Sequence, residues 1–287
     1  MNRQQLERGA DAIEVALYQH NAPVKVTGGH VTPRWVQFMV QPGLGVKVTQ
    51  IESLAREIAV ALGVPSAQVS QSGGAVRIDV PRNDPQPLQL ARMLDRIPLA
   101  RVPGCTALLG LADDGAPLLV RFPSPAVGHV LISGNAGSGK TSLIITALLS
   151  LACYNHPRHV QIVAIGSGLA CLRDLPHMLQ ADDLQRLMVK DHAIARPAKD
   201  PRIVIAVDEP RADMLPTLAT FAVRGAAAGV HVIAAAREPL DLPVKVRITA
   251  ERQPGDFRAD WTGNSPIRFL AAHIAAHEIG SFIQSLK

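Results

Sequence analysis

His129-Val130-Leu131-Ile132-Ser133-Gly134-Asn135-Ala136-Gly137-Ser138-Gly139-Lys140-Thr141-Ser142 reads as a short apolar strand, a glycine-rich turn, and the start of a helix running through Leu143-Ile144-Ile145 to Leu151. Gly134-x4-Gly139-Lys140-Thr141 has the spacing of a P-loop, and each residue type has a physical task in one. Gly134, Gly137 and Gly139 let the backbone turn tightly. With Asn135, Ala136 and Ser138 they aim N–H groups inward, where they cradle phosphate oxygens at the positive end of the following helix. Lys140 sets a point charge on the β/γ-phosphates, which makes it a catalytic as well as a binding residue, and the Thr141 hydroxyl holds Mg²⁺. Ser142 completes the first helical turn. The competing interpretation is a glycine-rich turn that merely caps a buried helix. A buried strand before the turn and a helix after it favour the nucleotide site, so ATP and Mg²⁺ are the expected ligands.

The strand Arg202-Ile203-Val204-Ile205-Ala206-Val207 ends in Asp208-Glu209. An acid pair at the carboxyl end of a buried strand, downstream of a P-loop, reads as a Walker B element. Asp208 is expected to help hold Mg²⁺, and Glu209 to orient or deprotonate the attacking water. A solvated acid pair at a strand end is the bland alternative, and the upstream P-loop argues against it.

At 287 residues and 47% hydrophobic, the chain is long enough for one large core and one small one. It has no apolar run of about 18 residues and starts on the polar Met1-Asn2-Arg3-Gln4-Gln5, so a soluble, cytoplasmic chain is expected. Cys105, Cys153 and Cys171 lack metal or disulfide spacing and read as reduced thiols. A net charge of +5 is compatible with a nucleic-acid partner without a basic run to mark it, and 3% aromatic content disfavours single-strand recognition by base stacking.

In chain order, Leu6, Ala10, Ile13 and Leu17 share one helix face, and Arg34 to Val40 alternates as a half-buried strand. Ile51, Leu54, Ala55, Ile58 and Leu62 predict one helix closed by Gly63, and Ala75 to Val80 predicts another strand stopped by Pro81. Residues 1–98 thus form a small α+β domain, with Pro81 to Pro98 as connector. From residue 99 to 287 the pattern is apolar strands separated by helices, which implies a mainly parallel sheet. The strands expected are His129 to Ile132, Val160 to Ile165, Ile203 to Val207, Val230 to Ala235 and Val244 to Ile248. The P-loop strand should be central, with Asp208-Glu209 on an adjoining strand.

Taken together, these segments resemble the motor region of the FtsK/SpoIIIE family of double-stranded DNA translocases. The resemblance is carried by Pro42-Gly43-Leu44-Gly45-Val46-Lys47-Val48, by Ile51 to Ala59 and Ala61 to Pro65, by the P-loop and Leu175-Pro176-His177-Met178-Leu179. It continues in Asp208-Glu209, Gly225 to Val232, Gly255-Asp256-Phe257 and His277-Glu278-Ile279. It implies a small α domain before a RecA-like P-loop ATPase domain, working as a homo-oligomeric ring, with a hexamer as the candidate stoichiometry, around duplex DNA gripped non-specifically through its backbone. The departures are local. Gly166-Ser167-Gly168 stands where the family has Asp-Pro-Lys, Ala236-Arg237-Glu238-Pro239 where it has Thr-Gln-Arg-Pro, and Ala226 where it has the Arg of Gly-Arg-Ala-Ala-Gly. The segments between Leu179 and Arg202 and after Ala250 are short, and the length leaves no room for a membrane segment or a C-terminal winged helix.

The function expected is an ATP-driven motor that translocates double-stranded DNA in chromosome partition. In such motors a neighbouring subunit commonly supplies an arginine, for which Arg247, Arg252, Arg258 and Arg268 are candidates. The alternatives are an ATP-binding ring subunit or regulator that translocates little, and a DNA-binding protein with a vestigial P-loop.

Overall fold

A computed structural model describes residues 3–72, 75–179, 201–251 and 253–286, and the chain divides into two compact units, Met1–Pro87 and Leu88–Lys287. The first contains α1 (Arg3–Gln19), β1 (Val24–Val31), β2 (Trp35–Pro42), α2 (Val48–Ser53), α3 (Ala55–Leu62), β3 (Gln68–Ser72) and β4 (Ala75–Pro81). Its strands form one antiparallel sheet in the order β1-β2-β4-β3. The alternation along β2 sends Val36, Phe38 and Val40 into a core shared with Ile13 and Leu17 of α1 and with Val76, Ile78 and Val80 of β4. The single helix expected from Ile51 to Leu62 breaks at Leu54 into α2 and α3. Each piece aims one isoleucine, Ile51 or Ile58, fully into that core. Gly63 ends α3 in the left-handed conformation (φ 63).

The boundary read from the sequence at residue 98 falls inside the second unit, because Leu88, Leu90 and Met93 belong to its core and α4 (Leu90–Arg96) carries two of them. The prolines that suggest a connector mask this apolar spacing. Among the described residues the unit continues with β5 (Thr106–Ala112), β6 (Pro117–Arg121), β7 (Val130–Ser133), α5 (Lys140–Tyr154), β8 (Val160–Ile165), β9 (Arg202–Asp208), α6 (Leu215–Arg224), β10 (Val230–Ala236), β11 (Val246–Ala250), β12 (Asp256–Trp261), β13 (Ile267–Ala271) and α7 (Ala276–Gln284).

The strands make a nine-stranded sheet in the order β6-β5-β13-β12-β11-β7-β10-β9-β8. From β11 through β7, β10 and β9 to β8 the neighbours are parallel, and from β11 outward through β12, β13, β5 and β6 they are antiparallel. β7 lies inside the sheet as expected. Its neighbour is not β9, however: β10 intervenes, paired with β7 on one side and β9 on the other. Every residue of β10 is buried, the mark of a parallel strand covered on both faces.

The sheet curls about α5. Val130 and Ile132 of β7 and Leu108 of β5 share one core with Leu143, Ile144, Ala147, Leu148 and Leu151 of the helix. The antiparallel half also satisfies the helix's buried hydroxyls. Thr146 Oγ1 donates to the Ala272 carbonyl just past β13 (2.9 Å), and Ser150 Oγ accepts from Leu108 N–H of β5 (2.8 Å). From Thr146 to Ala152 every residue of α5 is buried, so these hydroxyls find their partners in the sheet and not in water. On the other face, Leu218 of α6 packs with Leu131, Val163, Ile205 and Val232.

Two histidines lie buried near the amino ends of β7 and β10. His129 Nδ1 accepts from Val232 N–H (3.1 Å), while His231 Nδ1 stands 2.9 Å from the Gly128 carbonyl, a bond that needs the proton on Nδ1. Their ring centroids are 6.2 Å apart, with Phe122 beside His231. Burial pushes His129 down to about 4, and His231 adds to the effect. Burial likewise lowers His231 to about 4, helped by Arg202 and opposed by the Gly128 hydrogen bond.

Candidate nucleotide-binding site

The parts of the site converge because parallel strands end on the same edge of the sheet. The loop 134–139 follows β7, Asp208-Glu209 closes β9, Gly166-Ser167-Gly168 follows β8, Ala236-Arg237 closes β10, and Ala250 closes β11. Loop and strand ends are stitched together. Gly134 N–H donates to the carbonyls of Ala236 (3.3 Å) and Arg237 (3.2 Å), and the Ser138 carbonyl accepts from Gly255 N–H (3.0 Å). Gly139 precedes α5 at φ 97, a conformation that strains any larger residue, and a β-carbon there would also be tight against the Gly255 nitrogen at 3.3 Å.

Lys140 is only 6% exposed. Its Nζ donates to the carbonyls of Gly134 (2.8 Å) and Asn135 (3.1 Å) and lies 3.5 Å from Glu209 Oε1. A buried ammonium held by loop carbonyls and one carboxylate is poised for an anion entering the loop, which would compete for the same donors. Thr141 Oγ1 donates to Asp208 Oδ2 at 2.9 Å. The other oxygen, Oδ1, is buried without a hydrogen-bond partner, as is Ser138 Oγ. Buried polar atoms are ordinarily satisfied, so an orphaned carboxylate oxygen beside the P-loop threonine fits a missing ligand. Among the described residues no group of three or more His, Cys, Asp and Glu could hold a metal alone. The residues therefore fit a cation that arrives with phosphate oxygens, as Mg²⁺ does.

Glu209 has a backbone φ of 53, fixed by its N–H bonding the Ala235 carbonyl of β10 (2.8 Å). A non-glycine residue held there costs roughly 1–2 kcal/mol, and such strain concentrates at functional positions. The turn leaves the Glu209 side chain half exposed in front of Lys140.

Every residue expected from Gly134 to Ser142 lies in the loop or the first turn of α5, and Lys140, Thr141, Asp208 and Glu209 are brought together despite the strand between β7 and β9. Asn135, Ala136, Gly137 and Ser142 are exposed at its mouth, as is Arg237. The arginine candidates diverge. Arg247 is spent on its own chain, donating to the carbonyls of Leu240 (3.1 Å) and Leu242 (2.7 Å). Arg258 pairs with Asp260 (3.2 Å) and Arg268 lies 3.9 Å from Glu251, while Arg252 and the segment 180–200 lie outside the described residues. Sequence reading missed Gly255, Ala250 and Gly168 as neighbours of the loop. The only local signal was the glycine in Gly255-Asp256-Phe257. Among the described residues, no helix is long and apolar enough to cross a membrane.

A family model described as the FtsK/SpoIIIE family matches residues 100–190, and one described as the FtsK alpha domain matches residues 1–82. The DNA translocase FtsK of Mycobacterium leprae (strain TN) is 30% identical over 176 residues, covering 59% of this chain and 21% of that protein. The DNA translocase FtsK of Sporosarcina ureae is 25% identical over 284 residues, 82% of this chain and 36% of that protein. The chain thus spans about a third or less of the length of these relatives. Among solved structures, the cytoplasmic domain of the Thermomonospora curvata type VII secretion ATPase EccC aligns with a TM-score of 0.55 at 16% identity, over 70% of this chain and 34% of that one. The pCW3 conjugation coupling protein TcpA, in its monomer form with ATPγS, aligns with a TM-score of 0.54 at 12% identity, over 98% of this chain and all of that one. These likenesses establish a P-loop ATPase fold.

Proposed function

We propose, for a chain that belongs to the FtsK/SpoIIIE family, that it hydrolyses ATP with Mg²⁺ and uses the energy to move along double-stranded DNA. The observation that carries this reading is the convergence of Lys140, Thr141, Asp208 and Glu209 at one strand edge, with an orphaned Asp208 oxygen and a strained Glu209. Bound there, Mg²⁺ would neutralise charge on the β- and γ-oxygens. The chain's own groups do the remaining work. Backbone N–H groups of the loop after Gly134 and the N-terminus of α5 hold the phosphates, and Lys140 sets its charge on the γ-phosphate as negative charge shifts toward the leaving oxygen. Thr141 and Asp208 fix the cation side, and Glu209, exposed enough to meet solvent, orients a water and accepts its proton.

DNA is the proposed track. A motor meets a new sequence at every step, so its contacts must be electrostatic and to the backbone, which a net charge of +5 allows. A homo-oligomeric ring in the cytoplasm is the assembly that follows from the family, with a neighbour's arginine reaching the half-exposed Glu209 side. Steady-state ATPase measured against duplex concentration, with sizing in parallel, tests the whole. Duplex-stimulated turnover that Lys140→Ala abolishes is expected. Turnover indifferent to DNA from a strict monomer would remove the motor and leave an ATP-binding regulator.

A further inference from the structure

We propose that Gly168 is a positioning residue of this site: by lacking a side chain it leaves the Asp208 carboxylate in its place beside Thr141, the pair that would hold a nucleotide-bound divalent cation. The inference rests on the nucleotide reading above. After β8 the chain passes Gly166 and returns over the end of β9, so that residue 168 faces the two side chains that fit the cation. A β-carbon on Gly168 would stand 2.5 Å from Asp208 Oδ2 and 2.7 Å from Thr141 Cγ2, distances real β-carbons do not adopt. Asp208 Oδ2 is the acceptor of the 2.9 Å hydrogen bond from Thr141 Oγ1, and the same carboxylate carries the orphaned Oδ1.

The backbone does not ask for glycine here. Gly166 sits at φ 125, which favours glycine in any surroundings, whereas Gly168 is not among the positive-φ glycines. Nor is it core packing, since residue 168 is exposed and the atoms a methyl would strike are the ends of two side chains, the Asp208 carboxylate and the Thr141 methyl. What a side chain would crowd is the Oδ2 edge of the carboxylate, the edge that Thr141 holds. A methyl must therefore push the Asp208 carboxylate away from Thr141, while none of its three nearest atoms belongs to the phosphate loop 134–139.

The test is binding of fluorescent mant-ADP to the full chain, in Mg²⁺ and in EDTA, for wild type, Gly168→Ala and Ser167→Ala. Wild type should bind more tightly with Mg²⁺. Gly168→Ala should keep the EDTA affinity and lose about tenfold or more of the Mg²⁺-dependent gain, the usual scale for disturbing a metal's supporting residues. Ser167→Ala alters the same turn without placing a carbon near Asp208, and should match wild type. A full gain in Gly168→Ala, an equal loss in Ser167→Ala, or a wild type indifferent to Mg²⁺ overturns the inference. Wild type that binds no mant-ADP at all overturns the nucleotide reading instead. Should Gly168→Ala fail to fold, hydrogen exchange on wild type decides: amides 166–169 should exchange more slowly with Mg²⁺ and mant-ADP than with mant-ADP in EDTA, and equal rates refute the role.

Discussion

Acidification should begin to destabilise this protein before its carboxylates are titrated, because of the buried pair His129 and His231. Their unfolded rings take up protons near 6.5, and their folded rings near 4, so the unfolded state binds more protons throughout that interval. Stability therefore rises with pH across the window. It is whole above 6.5 and is lost as the pH falls toward 4. The displacement corresponds to about 3 kcal/mol for each fully buried ring, from 1.36 kcal/mol per unit. The rings are 6.2 Å apart and titrate as a coupled pair, so the figures do not simply add. A loss on the order of 3–6 kcal/mol between pH 7 and pH 4 follows, large against a typical domain stability of about 5–15 kcal/mol. The assay is urea unfolding at stepped pH, followed for the wild type and for His129→Asn/His231→Asn. Asparagine can still accept from Val232 N–H and donate to the Gly128 carbonyl but does not titrate. The variant should lose much less stability between pH 6.5 and 5, where paired carboxylates contribute little. Equal pH slopes in variant and wild type would refute the reasoning.

Four further outcomes are expected. Glu209→Gln should bind ATP but hydrolyse it about 100-fold or more slowly, as removal of a positioned base does. Glu209→Gly should be equally slow yet more stable by about 1 kcal/mol, because it relieves the φ of 53, and a destabilised variant in chemical denaturation would contradict the strain assigned there. Thr146→Val strips the hydroxyl from a fully buried position and leaves the Ala272 carbonyl unpaired, for a loss of about 1–3 kcal/mol by urea unfolding without any change in nucleotide affinity. Duplex affinity should fall linearly in log–log terms with salt, alike for unrelated sequences, with single strands no better; a salt-independent or sequence-selective affinity would remove the backbone grip.

The phosphate loop, the acid pair and the apolar parallel strands are legible in the sequence because each is local. Glycine spacing, a lysine before a hydroxyl, and a run such as Ile203 to Val207 need no knowledge of what lies across the sheet. Strand order is not local, which is why β10 between β7 and β9 could not be read. The antiparallel half escaped for another reason. Along β12, Phe257 and Ala259 are buried while Arg258 is exposed, but the run is too short and too charged to stand out from a loop. The role of Gly168 is the least legible of all, since it is set by two side chains that come from distant segments of the chain. Gly166-Ser167-Gly168 reads as a departure from a pattern until Asp208 and Thr141 are seen beside it.

The pairing of β5 with β13, Phe269 against Ala112 and Ala271 against Gly110, has a consequence for biosynthesis. At roughly 5–20 residues per second a ribosome needs on the order of ten seconds to travel from one strand to the other. Throughout that interval the β5–β6 hairpin has no neighbour on its inner edge, and α5, already complete, lacks the carbonyl of Ala272 that its Thr146 will bind. An apolar helix and a bare strand edge emerging early and closing late are what chaperones recognise and what aggregation exploits. The nascent chain should thus depend on a holdase until β13 has cleared the exit tunnel, and a fragment truncated before Ile267 should be insoluble even though its phosphate loop is intact.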